Sequence, residues 1–145
     1  HEISAIAFDA AADPDAYGEL GAPFAPAKMY YTVWSVTRMR AMHEKFVELG
    51  LESPFSEERV QRMLQGPVPT FSTSIDVTGY DHVRADALKA HATQVDPSSR
   101  MWFGIPPEVQ KSLPTSDDYE LARSRVGRLD VVDEDDLFAG VPEAG

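Results

Sequence analysis

Residues Lys28 to Trp34, KMYYTVW, most constrain the fold, because they set apolar and aromatic side chains next to one another without strict alternation. Gly18, Gly21, Pro23 and Pro26 lie in the thirteen residues before it, a density of breakers that regular structure does not hold. A strand with one wet face alternates polar and apolar residues, whereas a strand covered on both faces does not. The run therefore predicts a covered strand with helices on each side of its sheet, hence an α/β layered fold with a partly parallel sheet and flanking helices.

Helical patterns surround it. Glu2 to Ala12 spaces Ile3, Ile6, Ala7 and Ala10 at i, i+3, i+4, i+7 with no capping residue ahead, which predicts a helix entered inside the element and ended near Asp13-Pro14. Ser35 or Thr37 caps a helix striped by Val36, Met39, Met42, His43 and Phe46 and stopped by Gly50. Ser56 opens a shorter one with Glu57 and Glu58 in its first turn and Val60, Met63 and Leu64 on its buried side, closed by Gly66-Pro67. Between Thr70 and Val77 the alternation of Phe71, Ile75 and Val77 with polar residues predicts a half-exposed edge strand. The clearest helix spans Tyr80 to Thr93, with Tyr80, Val83, Ala87, Leu88 and His91 on one face and Arg84, Asp86 and Lys89 pointing elsewhere. Pro106-Pro107 opens a short helix through Leu113, and Asp118 to Ser124 reads as strand, helix being the alternative. One domain, 1–145, suffices, with 128–145 as an acidic tail in which Asp133 to Asp136 stay solvated while Leu137 and Phe138 dock. Two or three strands are too few to cover these helix faces, which predicts that a partner segment is missing.

Composition narrows the function. The 24 acidic and 13 basic side chains leave a formal charge of −11, which repels phosphate backbones and anionic headgroups, so neither nucleic acid nor a membrane is an expected partner. The absence of cysteine removes a disulfide framework, a thiolate metal site and a cysteine nucleophile, and fits a reducing compartment. With no leader pattern and no apolar run of roughly 18–20 residues, the expectation is a cytoplasmic location.

Four stretches carry a resemblance: HEISAIAFDAAADP at 1–14, KMYYTVWS at 28–35, LKAHATQVDP at 88–97, and MWFGIPPEV with DDYELARS within 101–124. In order and spacing they resemble the PIG-L/LmbE deacetylase family and, through the aromatic-proline stretch, its mycothiol S-conjugate amidase branch. The resemblance implies the carboxy-terminal half of a Rossmann-like zinc amidase that hydrolyses the amide of mycothiol S-conjugates to a mercapturic acid and glucosaminyl-inositol, a detoxification. It implies a small-molecule thiol conjugate and the missing amino-terminal half as partners. Zinc in that family is bound through an Ala-His-Pro-Asp-Asp type motif and the last His of His-Pro-Asp-His, and neither stands here. His1 matches a residue one turn after the ligand, so no metal ligand is assigned and the chain alone is expected to hold no zinc and to be inactive. An N-acetyl-sugar deacetylase of the same family, or a non-catalytic acidic interaction domain, are the alternatives.

Individual residues divide between roles. His91, three residues before Gln94, either reaches the substrate cleft or buttresses a zinc ligand, the two forming the catalytic candidates; a buried hydrogen-bonded His with a turn-forming Gln is the other reading. Trp102 and Phe103, with Ile105, either line a pocket for the apolar group of a conjugate or pack in the core. His43 reads as core or interface and His82 as exposed, and no HExxH spacing links any pair of histidines. The carboxylate pairs Asp13 and Asp15, Asp117 and Asp118, and Asp133 through Asp136 read as solvated surface.

Overall fold

The computed structural model describes residues 2–66, 71–127 and 133–142. In chain order the elements are α1 (Glu2–Ala10), a 3-10 turn (Gly18–Leu20), β1 (Lys28–Val33), α2 (Val36–Glu48), α3 (Glu57–Gln65), β2 (Thr73–Asp76), α4 (Asp81–Ala90), α5 (Arg100–Phe103), α6 (Pro107–Gln110) and β3 (Ser116–Ser124). The fold is α/β, as expected, and β3 is the central strand of a three-stranded sheet ordered β1-β3-β2.

The sheet corrects the expectation of a partly parallel one, because its strands are antiparallel. The amide of Ser72 donates to Tyr119 O at 2.9 Å and that of Val77 to Thr115 O at 2.7 Å, so the pairing partner falls in number as the donor rises. β1 is half-buried except at Thr32, which is exposed, and no residue of it is fully buried. Its run looked like a strand covered on both faces because Tyr30 and Tyr31 break the polar-apolar alternation. A tyrosine presents an apolar ring with a polar tip, and the Tyr30 hydroxyl finds a carboxylate. β2 lies at the sheet's edge, and beyond it Thr73 forms an isolated parallel bridge with Glu134.

The chain divides into two compact units. The first comprises His1–Thr32, Phe71–Ser74 and Tyr119–Gly145. Phe8 and Leu121 are buried there, whereas Ile3, Ile6 and Ala7, three of the four residues of the predicted α1 stripe, are exposed. Arg125 ties this unit together. Its guanidinium stands 4.1 Å from the Phe8 ring centroid and donates to Phe8 O at 3.0 Å and Pro26 O at 3.2 Å, while its amide donates to Ala27 O at 2.8 Å.

The second unit comprises Val33–Thr70 and Ile75–Asp118. Ser35 caps α2 by accepting from the Arg38 amide at 3.3 Å, and Ser56 does the same for α3 through Arg59. At the other end of α2, Gly50 takes φ +66°, Leu51 N donates to Phe46 O and Gly50 N to Val47 O, a Schellman closure that a side chain at Gly50 would strain. Met39, Phe55 and Val60 form the core cluster, with Met42, Met63 and Met101 packed against it. Four of the chain's five methionines thus fill one small core, where an unbranched side chain adapts to irregular gaps. Phe46 is almost fully buried and its ring lies against Gly104.

The acidic tail also needs correction. Asp133, Asp135 and Asp136 are exposed as expected, but Glu134 is enclosed, and residues 128–132 and 143–145 lie outside the described residues. Phe138, expected to dock, is 74% exposed.

Candidate functional site

The second unit holds a cleft of about 80 Å³ built by α2, α4, α5 and α6. Trp34, Arg38 and Met42 reach it from one line of side chains spaced i, i+4, i+8, beginning just before the Ser35 cap. Arg84, Ala85 and Leu88 line it from α4, and Arg100, Met101 and Trp102 from α5. Trp34 and Trp102 meet edge to face, with ring centroids 5.7 Å apart and planes at 76°, the arrangement the aromatic quadrupoles favour. Both keep over a third of their surface exposed, so their ring area is available to a ligand.

Arg38 and Arg84 turn toward the start of β3. Arg38 donates to Ser116 O at 2.8 Å and lies 3.4 Å from Asp117 Oδ1, and the Arg84 guanidinium bonds the same Asp117 oxygen. This corrects two expectations. Arg84 does not point away from the packed face of α4, because an ion pair draws it in, and Asp117 is not solvated but sits on a strand between two guanidiniums. A second cavity, of about 330 Å³, shares Arg38, Arg84 and Gln110 with the cleft and adds Val77, Tyr80, Val83, Ala87, Thr115 and Asp117.

Of the residues singled out from sequence, Trp102 lines the cleft and Phe103 is half-buried outside its lining. His91 is the residue that closes α4 rather than part of its apolar face, and both it and Gln94 are exposed on the following turn, where Gln94 N donates to His91 O at 2.8 Å. His91 Nδ1 lies 2.7 Å from Ala87 O, so the proton belongs on Nδ1, and in the neutral ring Nε2 is an acceptor. His43, expected in core or interface, is largely enclosed, with Nδ1 2.9 Å from Ser53 Oγ and Nε2 2.9 Å from Glu57 Oε2. His82 is exposed, and His1 lies outside the described residues.

Sequence reading missed the arginines and Trp34. The i, i+4, i+8 series Trp34, Arg38, Met42 and the series Tyr80, Arg84, Leu88 carried the signal, but a charged residue inside an apolar stripe was set aside. It also missed Glu134 in the first unit, because the carboxylate's partners, Lys28, Tyr30 and Thr73, are far from it in sequence.

The zinc implied by the resemblance has no seat on these elements. Among the described residues no three His, Asp or Glu side chains gather into a group able to hold a metal, so the donor set found there does not fit the ion. No helix among the described residues is long and apolar enough to cross a membrane.

Comparison with known proteins adds relatives. The chain is 37% identical to the mycothiol S-conjugate amidase of Streptomyces coelicolor over 97% of its own length and 48% of the relative's. It is 34% identical to the 1D-myo-inositol 2-acetamido-2-deoxy-alpha-D-glucopyranoside deacetylase of Streptomyces avermitilis, over 97% of this chain and 47% of that one. The deacetylase of the same name from Geodermatophilus obscurus is 33% identical over 98% and 48%. The chain thus spans about half the length of the curated relatives it matches. No family model matches it, and no solved structure does.

Proposed function

From the premise that this chain belongs to the LmbE-type family of mycothiol amidases and inositol-sugar deacetylases, we propose that it is the carboxy-terminal part of a zinc-dependent amide hydrolase acting on mycothiol S-conjugates. In this reading the complete enzyme has a Rossmann-like layered fold and works in cytoplasmic detoxification, and the metal and its water lie in the half of the family's length that this chain does not span. What this chain supplies is a surface for the part of the substrate that does not react. Trp34 and Trp102 seat the apolar group carried on sulfur, because an aromatic wall with exposed ring area gains from covering it.

The observation that carries the proposal is the similarity to the Streptomyces coelicolor amidase over nearly the whole of this chain. The deacetylase reading rests on relatives only slightly more distant. The cleft supports the amidase reading on chemical grounds, since an acetyl group offers little apolar area to a pair of indoles. His91 and Gln94, exposed on the turn after α4, are proposed to face the reacting half, with His91 Nε2 as the acceptor it presents.

The test joins this chain to the half of the Streptomyces coelicolor relative that it does not match and assays an S-benzyl mycothiol conjugate beside the N-acetylated inositol sugar. Faster hydrolysis of the conjugate is expected. A preference for the acetylated sugar would transfer the assignment to the deacetylase, and hydrolysis of neither by a folded, zinc-loaded protein would remove it.

A further inference from the structure

We propose that Ser53 is a nucleophile, with His43 as its base and Glu57 as the residue that positions the imidazole, and that this hydroxyl accepts an acyl group from an activated ester. The inference stands apart from the amide-hydrolysis reading and concerns side chains outside the tryptophan cleft.

The three residues come from consecutive segments of the second unit: His43 from α2, Ser53 from the loop that follows and Glu57 from the first turn of α3. His43 Nδ1 lies 2.9 Å from Ser53 Oγ, and Nε2 lies 2.9 Å from Glu57 Oε2. These contacts fix where the protons are. A carboxylate only accepts, so in the neutral ring the proton belongs on Nε2 and points at Glu57. Nδ1 is then an acceptor, and the bond to Ser53 runs from the hydroxyl to the ring. The Ser53 oxygen meanwhile accepts the Phe55 amide at 3.1 Å, which supports negative charge on Oγ as its proton departs.

Glu57 is held by its other oxygen, which accepts from Gln61 Nε2 at 2.9 Å one turn along α3. Its carboxyl lies below its ordinary value of 4.5, through Gln61 first and then His43, so it is ionised at neutral pH. The Glu57 side chain is 66% exposed and solvent screens its charge, but a group that only accepts still admits a single ring tautomer. The His43 side chain is 12% exposed, so water competes little for Nδ1, whereas Ser53 is only half-buried and open to a small reagent. Hydroxyl to imidazole to carboxylate is the order in which a serine is activated, here with the two ring nitrogens exchanged relative to the serine proteases.

In the step itself, Ser53 Oγ bonds to the carbonyl carbon of the ester while its proton passes to His43 Nδ1. The carbon–oxygen bond to the leaving group breaks, the leaving oxygen departs with the electron pair, and the imidazolium returns its proton to water. The Phe55 amide serves the nucleophile rather than the carbonyl oxygen, which restricts the substrate to an ester whose leaving group departs as a stable anion, such as a phenolate.

The chain itself is incubated with p-nitrophenyl acetate, and acetylated side chains are mapped over time by peptide mass spectrometry. Ser53 should gain an acetyl group at least tenfold faster than Ser56, whose hydroxyl accepts the Arg59 amide at 3.3 Å but meets no histidine among the described residues. His43→Gln should bring Ser53 down to the rate of Ser56. Glu57→Gln should slow it severalfold, because an amide bonds to either ring tautomer, and nitrogen NMR of the His43 ring should show the proton on Nε2 in the parent and a mixture in this variant. Glu57 is exposed, so its replacement leaves the core untouched and decides the matter if His43→Gln does not keep the parent's circular dichroism spectrum. Ser53 acetylated no faster than Ser56, a folded His43→Gln variant acetylated at the parent's rate, or a Glu57→Gln variant with unchanged rate and tautomer would each overturn the proposal.

Discussion

Lys28 and Glu134 stand 106 positions apart in the sequence, yet Lys28 Nζ and Glu134 Oε1 lie 2.6 Å apart, with side chains 6% and 7% exposed. Tyr30 and Thr73 complete the group: their hydroxyls donate to Glu134 Oε2 at 2.6 and 2.8 Å, and Lys28 also donates to the Tyr30 oxygen at 3.0 Å. Among the described residues no buried side-chain nitrogen or oxygen lacks a partner. A carboxylate enclosed to this degree is tolerable only because three donors meet it.

The pH dependence of stability follows from that group. Burial alone would raise the Glu134 pKa, but the bonds from Lys28, Tyr30 and Thr73 outweigh it and hold the carboxyl below its ordinary value of 4.5. Its stabilisation is therefore complete above about pH 4.5 and is lost as the pH falls through the lower, folded value. For Lys28, burial works to lower the pKa, but Glu134 and Tyr30 outweigh it and raise the value above 10.5, so its share is complete below that pH and lost as the pH rises through the folded value. Glu134→Gln should lower the urea stability at pH 7 by about 3 kcal/mol, because Lys28 keeps its charge and loses its counterion. It should also flatten the acid limb between pH 5 and 3. Some slope will remain, since Glu57, Asp76 and Asp96 are held below their ordinary values too. A variant whose acid limb matched the parent's would show that Glu134 does not govern it.

Gly104 is required by space rather than by backbone angle. A Cβ built there would fall 2.8 Å from Phe46 Cε1 and Cζ and 2.5 Å from Arg100 O, and the Phe46 ring, almost fully buried, has little room to withdraw. Gly104→Ala should cost about 1–3 kcal/mol by overpacking, read as a lower urea midpoint. Gly18→Ala, where nothing lies within 4 Å, is the control and should change stability by less than about 0.5 kcal/mol.

Arg125 joins three segments of the first unit through one planar head group. Arg125→Ala should lose about 1–2 kcal/mol, combining the ring contact with Phe8 and the bonds to the carbonyls of Phe8 and Pro26. Arg125→Lys should recover less than half of it, because an ammonium cannot cover the ring and reach both carbonyls at once. Full recovery by lysine would reduce the role of Arg125 to charge, and thermal melts of the three proteins decide the matter.

Much of this was legible in the sequence, and what was hidden has a common cause. Ser35, Ser56 and Gly50 marked helix ends correctly because a cap is a local event, settled within four residues. The strand at Asp118 to Ser124 and the edge position of β2 were legible for the same reason. The antiparallel pairing was not, since nothing in KMYYTVW states which strand lies beside it. Arg84, Asp117 and Glu134 were misread together: each was judged by its own neighbourhood as a solvated charge, and each is drawn inward by a partner from a distant segment. Charge pairing across long separations leaves no periodic trace for pattern reading to find.

Trp102 offers the sharpest kinetic test of the cleft. Its ring meets Trp34 edge to face at 5.7 Å and both line the same wall, so Trp102→Ala removes half of the aromatic surface without touching Arg84 or Asp117. In the joined protein this should raise KM for an S-benzyl conjugate by about tenfold, equivalent to the 1–2 kcal/mol that an apolar group gains from a covering ring. KM for an S-methyl conjugate should change by less than about twofold, since a methyl group has little area to lose. Turnover number should hold for both, because contact with a group remote from the bond that breaks stabilises ground and transition state alike. If the benzyl and methyl conjugates lose the same factor, the indole packs rather than selects. A fall in kcat with KM unchanged would instead mean that Trp102 acts on the reacting bond.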